Sequence, residues 1–396
     1  MTFKERISAF FGKNQTVTGT KVQLVTERGN GIYVWDGKLF ESDIVRSTIR
    51  PIAVAVGKAV PKHISGKGDK MKLNSRPAID FLLKEPNPYM SMQQLLEKLA
   101  RMREISNNAF ALITRDENGQ ANGIYPISAV TAEAVYLHGG ELAIKFYLLN
   151  GKQYTFRYCD LIHLRKDFAT NDIFGSPAGS ALASLMTVLG TIDRSVLQAV
   201  KNGSLIRWLL MYNNSLRVED LKKNAEEFAA TFLSTESNGT GVAATDSKAT
   251  ATQVSTNDYV PNAAIVDRTT ARINSFFGVS EKIKQSNYNE DEWNAFYEST
   301  IEPILINLAD ELTRKLFTRH ERAFDNRIVF EASNLAYASM STKLALSQMV
   351  DRGAMTPNEW REIMNKAPIE GGDKPLRRLD TITVSDDTQT RQGGDN

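Results

Sequence analysis

A tract of small and polar residues, 234–258, constrains the fold more than any other part of the chain. It contains no aromatic side chain and consists mainly of Ser, Thr, Ala, Gly and Asn. Such a composition cannot bury enough apolar surface to form a core of its own. A loop of this length is also unusual inside a compact domain. We therefore expect this tract to be either disordered or a projecting functional element.

Apolar residues at helical spacing flank the polar tract on both sides. On the N-terminal side they are Val218, Leu221, Ala225, Phe228 and Phe232. On the C-terminal side they are Ile265, Val266, Ile273, Phe276 and Phe277, followed by Gly278. This periodicity predicts two amphipathic helices joined by the polar tract.

Composition and charge leave the class of protein open. The 396 residues are enough for two or more domains, and 42% hydrophobic with 24% charged residues is ordinary for a globular protein. The formal net charge of +2 does not support a generally basic, nucleic-acid-binding surface. The single cysteine, Cys159, excludes an intramolecular disulfide and fits a reducing cytoplasm. We expect it to be a packed thiol in a strand over 156–164.

The N-terminal residues predict a short docking helix. Four apolar residues share one helical face, namely Phe3, Ile7, Phe10 and Phe11. Attachment to a membrane surface is the alternative, but residues 1–11 lack the apolar core of a signal peptide. No apolar run approaches the ~20 residues of a transmembrane helix, so we expect no membrane partner.

The N-terminal half combines helices with an antiparallel β unit. We predict a helix over 43–60 that is broken at Pro51, and a helix over 76–84. A further helix follows Ser91, which has Gln94 at the position of a capping-box partner. The basic segment 62–75 is predicted to be a solvated loop, with a phosphate site as the alternative. Period-two alternation and turn residues across 109–164 predict several antiparallel strands.

The C-terminal half is mostly helical. Ser176-Pro177 begins one predicted helix, and a long helix over 293–316 contains Pro303 as an expected kink. Near the end, Gly353 is placed to stop a helix that begins at Lys343. The next helix starts with Thr356-Pro357-Asn358-Glu359, which combines an N-cap, a proline at the first helical position and a capping-box glutamate. The fold class is therefore α+β.

Known catalytic and metal-binding signatures are missing from the sequence. No phosphate-binding loop or Gly-x-Ser-x-Gly elbow occurs, and the four histidines lack metal-ligand spacing. Asp167 and Asp172 flank Phe168 and are a candidate metal pair, but we expect them to cap the following turn. We expect no catalytic residues, no metal, no cofactor and no enzymatic activity, with a nucleic-acid-modifying enzyme as the less favoured alternative.

Several local motifs, in this order, resemble the shorter portal proteins of tailed bacteriophages over most of residues 30–375. They are Pro86-Asn87-Pro88-Tyr89-Met90-Ser91, Asn108 to Asp116, Phe174-Gly175-Ser176-Pro177, Phe276-Phe277-Gly278-Val279, Glu302-Pro303 and Thr356 to Arg361. Two positions depart from the family pattern. Asn107 stands where a Gly often precedes the Asn-Ala pair, and Ser280 stands where a Pro often follows Phe-Gly-Val.

The resemblance implies a subunit of a ring, usually of twelve copies, at one capsid vertex. It implies a mixed α/β wing and body with an antiparallel β unit, a helical stem, a small clip insert and a short helical crown. The implied segments are an N-terminal region and wing at 1–205, stem helices at 206–233 and 259–280, the clip at 234–258, a tunnel loop at 281–289, a long helix and wing closure at 290–333, the crown at 334–375 and a flexible tail at 376–396.

The resemblance also implies partners and contact residues. The ring would translocate double-stranded DNA without sequence specificity. The near-neutral charge does not decide this point, because a channel through which DNA slides does not need tight phosphate neutralisation. Protein partners would be the terminase large subunit, the major capsid protein and head–tail connector or adaptor proteins, in a virion assembled in the host cytoplasm. Another ring or adaptor component of a virion is the main alternative.

Two groups of residues are the candidate sites that follow from the resemblance. Those expected to line the DNA channel are Lys282, Lys284, Gln285 and Asn287, with the lysines as exposed point charges on a weakly anchored loop. A plain surface turn is the alternative for this segment. Those expected in the partner-binding clip are Val242, Asp246, Lys248 and Val254.

Overall fold

The computed structural model describes most of the chain between residues 23 and 376. The described residues are 23–24, 32–34, 39, 41–168, 172–176, 178–203, 207–212, 217–228, 249–254, 263–332 and 340–376. Thirteen helices occur among them: α1 Asp43–Lys58, α2 Pro77–Lys84, α3 Met92–Ser106, α4 Ala178–Gly203, α5 Val218–Phe228, α6 Ala263–Phe276, α7 Glu281–Lys284, α8 Glu290–Phe296, α9 Glu302–Leu316, α10 Arg319–Ala323, α11 Met340–Ala345, α12 Ser347–Asp351 and α13 Pro357–Ile363.

The strands described form four antiparallel groups. Their bounds are β1 Gln23–Leu24, β2 Ile32–Val34, β3 Val60–Ser65, β4 Lys72–Leu73, β5 Asn108–Arg115, β6 Ala121–Pro126, β7 Thr131–Tyr136, β8 Leu142–Tyr147, β9 Gln153–Arg157, β10 Leu161–Arg165, β11 Arg207–Tyr212, β12 Ala249–Val254 and β13 Arg327–Glu331. In sheet order they are β1-β7-β8-β9 with β2 also on β7, β10-β5-β6, β11-β12, and β13-β3-β4. This mixture of helices and antiparallel sheets confirms the α+β class.

The chain divides into two compact units. Unit 1 contains residues 1–179 and 277–396, and unit 2 contains residues 180–276. In the core of unit 1, β5, β7, β8 and β10 bury their inward side chains together with Ile173 and Phe174. Phe110 lies at the centre, with its ring edge-on to Phe146 at 5.1 Å between centroids. The antiparallel β unit predicted over 109–164 is thus confirmed.

Helix α1 packs closely on α3 and runs through Pro51 without a break. A Cβ on Gly57 would lie 2.5 Å from the Cγ atom of Glu97, so a larger residue there would displace the Glu97 side chain. The predicted break at Pro51 is therefore wrong. A proline inside a helix costs about 3 kcal/mol, but α1 fully buries Val45, Ile52 and Val56, and that burial offsets the cost.

The expectation of a basic loop over 62–75 is wrong for its first part. Residues 60–65 form β3, which pairs with β13 in the register Arg327↔Ile64 to Glu331↔Val60. The partner strand lies more than 260 residues away in sequence, so the local composition did not indicate it.

The expectation for Cys159 is also wrong. Cys159 is exposed and belongs to the 3₁₀ turn Tyr158–Asp160 between two strands, instead of a packed position in a continuous strand.

Unit 2 holds the helices that flank the polar tract, together with a strand pair. Helices α5 and α6 are present as predicted, although Phe232 lies outside the described residues. The assignment of 206–233 as stem helix is wrong at its start, because residues 207–212 form β11. This strand pairs with β12, from Arg207↔Val254 to Tyr212↔Ala249. Part of the polar tract therefore has regular structure, which backbone hydrogen bonds provide where apolar side chains are few.

The predicted long helix is interrupted. Helices α8 and α9 are joined by a π-helical turn, Tyr297–Ile301. Pro303 has no amide hydrogen to donate to the carbonyl of Ser299, and the departure from α geometry falls in this preceding turn. The expected irregularity at Pro303 is thus a π turn placed just before it.

The last helices of the chain, α11 to α13, form the segment that the resemblance places in the crown. Gly353 is left-handed with φ 72°, and Thr356 and Glu359 form the predicted capping box. Asn358 is the centre of this region. Its side chain donates to the carbonyl of Ile369 at 3.0 Å and to a carboxylate oxygen of Asp373 at 2.8 Å, and it accepts from the amide of Ile369 at 2.9 Å. The Trp360 indole donates to the Lys343 carbonyl at 2.9 Å.

Candidate functional site

The candidate channel segment, 280–293, is a capped turn and not a weakly anchored loop. Ser280 accepts a hydrogen bond from the amide of Ile283 and caps the short helix α7. The Ile283 side chain is buried, and α7 lies beside α1. Ser280 therefore performs the turn-forming role for which the family often has proline, and the expectation of a loop over all of 281–289 is wrong for 281–284.

Both lysines of the segment are paired with carboxylates. Lys282 contacts a carboxylate oxygen of Glu292, and Lys284 lies 2.9 Å from a carboxylate oxygen of Glu281. The Lys282 side chain is 62% exposed, whereas the Lys284 side chain is only 16% exposed. The description of both as exposed point charges is therefore wrong for Lys284, and for Lys282 it omits the charge partner.

Residues 281–292 contain more acidic than basic side chains. There are two lysines and four carboxylates, because α8 begins with Glu290-Asp291-Glu292. The hydrogen bond from Lys282 and the one from the Asn289 amide lower the pKa of Glu292. Residues 281–292 thus carry a formal charge of −2, so only the two lysines within them can attract a phosphate group.

The turn between α7 and α8 places the other two predicted channel residues. The Gln285 side chain donates to a Glu281 carboxylate oxygen at 3.1 Å, and the Asn287 amide donates to the Lys282 carbonyl at 2.9 Å. Between them, Ser286 is left-handed with φ 58°. Gln285 and Asn287 are both exposed. All four predicted channel residues therefore lie together on one short turn.

Three residues that stabilise this turn, Glu292, Tyr288 and Trp293, were not predicted from the sequence to do so. Glu292 both caps α8 and pairs with Lys282, and the pattern Asn289-x-x-Glu292 is the capping-box signal that marks it. Tyr288 stacks on Trp293 with 5.2 Å between ring centroids. These contacts fix the end of the turn against α8.

The π turn also contacts the chain before the channel segment. The Thr300 hydroxyl, which lies in the π turn, donates to the carbonyl of Gly278 at 3.2 Å. Gly278 is left-handed with φ 69°, and a Cβ there would lie 3.0 Å from the Thr300 hydroxyl oxygen. Glycine is thus required at the end of α6 for both its dihedral angle and its contact.

A buried polar network explains the Asn-Ala and Phe-Gly-Ser motifs. Asn107 is left-handed with φ 56°, so it supplies the conformation for which the family often has glycine. The Asn108 side chain exchanges hydrogen bonds of 2.9 and 2.8 Å with the backbone of Gly175. A Cβ on Gly175 would lie 2.2 Å from the Lys166 carbonyl oxygen. The motifs therefore preserve one close backbone contact.

His163 completes the same network. It is fully buried, and its ring stacks on Phe110 with 4.2 Å between the ring centroids. Its Nε2 atom lies 3.1 Å from the side-chain oxygen of Asn108. Burial lowers the pKa of His163 well below its usual value, and the charges of Arg165 and Lys315 lower it further. The neutral ring thus donates through Nε2 to Asn108 and accepts at Nδ1 from the Tyr158 hydroxyl.

Asp167 and Asp172 have structural partners. The Asp167 carboxylate accepts from the Asn107 side chain at 3.2 Å, and its carbonyl accepts from the Ser176 amide, so it supports the turn as expected. The Asp172 carbonyl accepts from Arg165 at 2.6 Å. Among the described residues, no group of three or more His, Cys, Asp or Glu side chains is arranged to hold a metal ion.

The structure describes only one of the four predicted clip residues. Val242, Asp246 and Lys248 lie outside the described residues. Val254 ends β12, where it is the backbone partner of Arg207. Of the helices in the described part of the chain, none is long and apolar enough to cross a membrane.

Comparison with known proteins identifies the family. The family model described as phage portal protein matches residues 43–365. The chain therefore belongs to the phage portal protein family.

Individual relatives and solved structures agree with this assignment. The probable portal proteins of Lactococcus phages p2 and SK1 are each 25% identical over 254 residues, which is 62% of this chain and 63% of theirs. The alignment thus spans less than two thirds of these relatives.

The fold is similar to three solved structures. A neck structure of an empty gene transfer agent (GTA) particle, computed with C6 symmetry, has a TM-score of 0.58 at 14% identity and covers 84% of this chain and 92% of that one. A native GTA neck computed with C12 symmetry has a TM-score of 0.56 at 14% identity and covers 86% and 97%. An HK97-family phage portal protein from Corynebacterium diphtheriae has a TM-score of 0.53 at 13% identity and covers 78% and 99%.

Proposed function

We propose that this chain is one subunit of a portal ring, of twelve copies, at one vertex of a phage capsid. The family match over residues 43–365 carries this proposal. Similarity to a neck structure with C12 symmetry supports the ring and its location in a virion. The ring passes double-stranded DNA during packaging and ejection, and it is assembled in the host cytoplasm. Its role is structural and not enzymatic.

Imaging of the purified protein tests the ring directly. We expect closed rings in negative-stain electron microscopy, with twelve subunits as the main class. A protein that remains monomeric or dimeric at every salt and protein concentration would contradict the proposal and favour the enzyme alternative. Rings that bind a pre-assembled portal, instead of the packaging motor, would favour the adaptor alternative.

We further propose that the clip, 234–258, contacts the terminase large subunit during packaging and the connector proteins afterwards, while other surfaces of the ring contact the major capsid protein. Small polar side chains suit an adaptable docking surface. Because β12 pairs with β11, the test replaces only 242–248 with a Gly-Ser linker of equal length. We expect rings that assemble but bind the motor or connector poorly. The same linker at 386–392 is the control, and unchanged motor and connector binding in the 242–248 variant would remove this role from the clip.

For the channel we propose that 281–289 lines the bore and that its paired lysines give the DNA backbone a weak, easily broken contact. Lys282→Ala with Lys284→Ala leaves the four carboxylates of 281–292 without lysine partners in the segment. We expect rings that assemble but retain DNA less well, with the difference shrinking at high salt.

A matched variant shows whether the effect depends on where the two lysines lie or only on the loss of two positive charges. Lys58→Ala with Lys152→Ala removes the same charge from exposed residues outside both 280–293 and the basic segment 62–75, and this variant should package like the parent. If the 282/284 variant also packages and retains DNA like the parent at every salt concentration, these lysines do not touch the duplex.

A further inference from the structure

Helix α4 carries an apolar stripe that is longer than the surface it buries. Leu182, Leu185, Leu189 and Ile192 are buried at spacings of three and four residues. Val196 and Val200 continue the stripe on the same face, yet they are 41% and 68% exposed. The last two turns of α4 therefore present an apolar face that the described residues of this chain leave open to solvent.

Helix α5 carries a second exposed stripe. Val218 and Leu221 lie on one face and are 81% and 40% exposed, and Ala225 on the same face is also exposed. The helix has 11 residues. Isolated helices below about 12–15 residues are marginal in water, so α5 needs packing on its apolar face to be stable.

The two stripes suit a head-to-tail contact between copies. A ring closes through a heterologous interface, in which one surface of a subunit meets a different surface of the next. Such a subunit must expose two distinct surfaces of matching character. Both α4 after Gly179 and α5 belong to unit 2, and both exposed apolar faces are aliphatic. The face on α4 is the broader one, because Val188 and Leu197 flank its stripe and are 43% and 60% exposed.

We propose that the exposed end of α4, centred on Val196 and Val200, packs against the Val218–Leu221 stripe of α5 in the adjacent copy of this chain. This inference rests on the ring proposed above and identifies one of its subunit contacts. The occupant of each stripe is thus a second copy of the same chain. Helix-on-helix packing brings the two axes to about 8–10 Å.

Crosslinking between two single-cysteine chains tests this contact. In a Cys159→Ser background, one chain carries Val200→Cys and the other carries Leu221→Cys, and the two are mixed before assembly. A short bifunctional thiol reagent should produce a covalent dimer from the mixture and little dimer from either chain alone. The matched control pairs Gln198→Cys with Lys223→Cys, which lie on the opposite faces of the two helices, and it should assemble into rings without forming a covalent dimer.

The outcomes separate the contact from the ring. Rings by microscopy with no 200–221 dimer overturn the contact and leave the ring intact. Dimers from one chain alone overturn it as well, because they indicate like-with-like packing. A chain with both cysteines that crosslinks only within itself shows that α4 covers α5 of its own copy. Absence of rings in the parent protein overturns the ring proposal itself.

A charge within the stripe gives a second measurement. Val200→Glu should raise the protein concentration needed for ring assembly by at least about tenfold, because a carboxylate would be buried without a partner. Gln198→Glu adds the same charge to the opposite face and should assemble like the parent. Equal assembly of both variants, each folded by circular dichroism, would contradict the contact.

Discussion

Residues 340–376 include most of the implied crown and are called the crown segment below. This segment and the candidate channel segment, 280–293, each contain the same capping motif, but different contacts stabilise them. In each, a polar N-cap and a glutamate three residues later form a capping box, Thr356 with Glu359 and Asn289 with Glu292. In the crown segment, the adjacent Asn358 is buried, and its uncharged amide side chain bonds the backbone of Ile369 and the carboxylate of Asp373. In the channel segment, Glu292 pairs with the exposed Lys282. The first arrangement depends on hydrogen bonds of an uncharged side chain, whereas the second includes an ion pair, which salt screens.

The largest loss of local stability is expected from a substitution in the crown segment. Asn358→Ala removes three hydrogen bonds and leaves the Ile369 amide and carbonyl without these partners, which should cost about 2–4 kcal/mol of local stability. Hydrogen–deuterium exchange should accelerate in peptides from 340–376 and stay unchanged in 280–293. Glu370→Ala, at an exposed position of the same turn, is the control. Equal protection of the crown in both variants would show that the Asn358 contacts do not hold this segment.

Substitutions at the left-handed residues should change the stability of the two segments in opposite directions. The crown has Gly353 at φ 72°, and the channel segment has Ser286 at φ 58°. Gly353→Ala should destabilise the crown by roughly 1–2 kcal/mol, and Ser286→Gly should stabilise the channel turn by up to about 1 kcal/mol. Local exchange rates measure both changes. If both substitutions change exchange in the same direction, left-handed strain does not distinguish the segments.

The smallest effect concerns the charge pair of the channel segment. The pKa of Glu292 is lowered from 4.5, so its contribution to stability is present above the unfolded value and is lost as the pH falls through the lower folded value. Glu292→Gln should weaken the acid-dependent opening of 280–293 and its dependence on salt, and the Lys284–Glu281 pair should account for the salt dependence that is left. Exchange measured from neutral pH down to below pH 4.5, at low and high salt, provides the test, with Glu298→Gln as the control outside the segment. A variant with the parent's pH and salt profile would remove the pair as the cause.

Sequence alone predicted features whose cause lies within a few residues. The capping boxes at Ser91 and Thr356 and the helix stops at Gly278 and Gly353 were predictable because a side chain and the backbone beside it determine them. The α+β class followed from periodicity in the same way.

Features that depend on distant partners were not predictable from local pattern. The strand β3 requires β13, and β11 requires β12 across the polar tract. Lys282 looked like a free charge because its partner Glu292 lies ten residues further on, beyond a turn whose geometry Ser286 sets. The continuous passage of α1 through Pro51 depends on burial against α3, which no local signal carries.

The π turn at Tyr297–Ile301 has a consequence for how the long helix is phased. A π turn holds one residue more than the α-helical turn it replaces, so it rotates α8 by about 100° relative to an uninterrupted continuation of α9. Deleting a single residue there would restore a regular helix and turn Trp293 and the whole channel segment to a different side of the axis. The direction in which residues 280–293 leave the axis of α9 is thus set by one extra residue in the π turn.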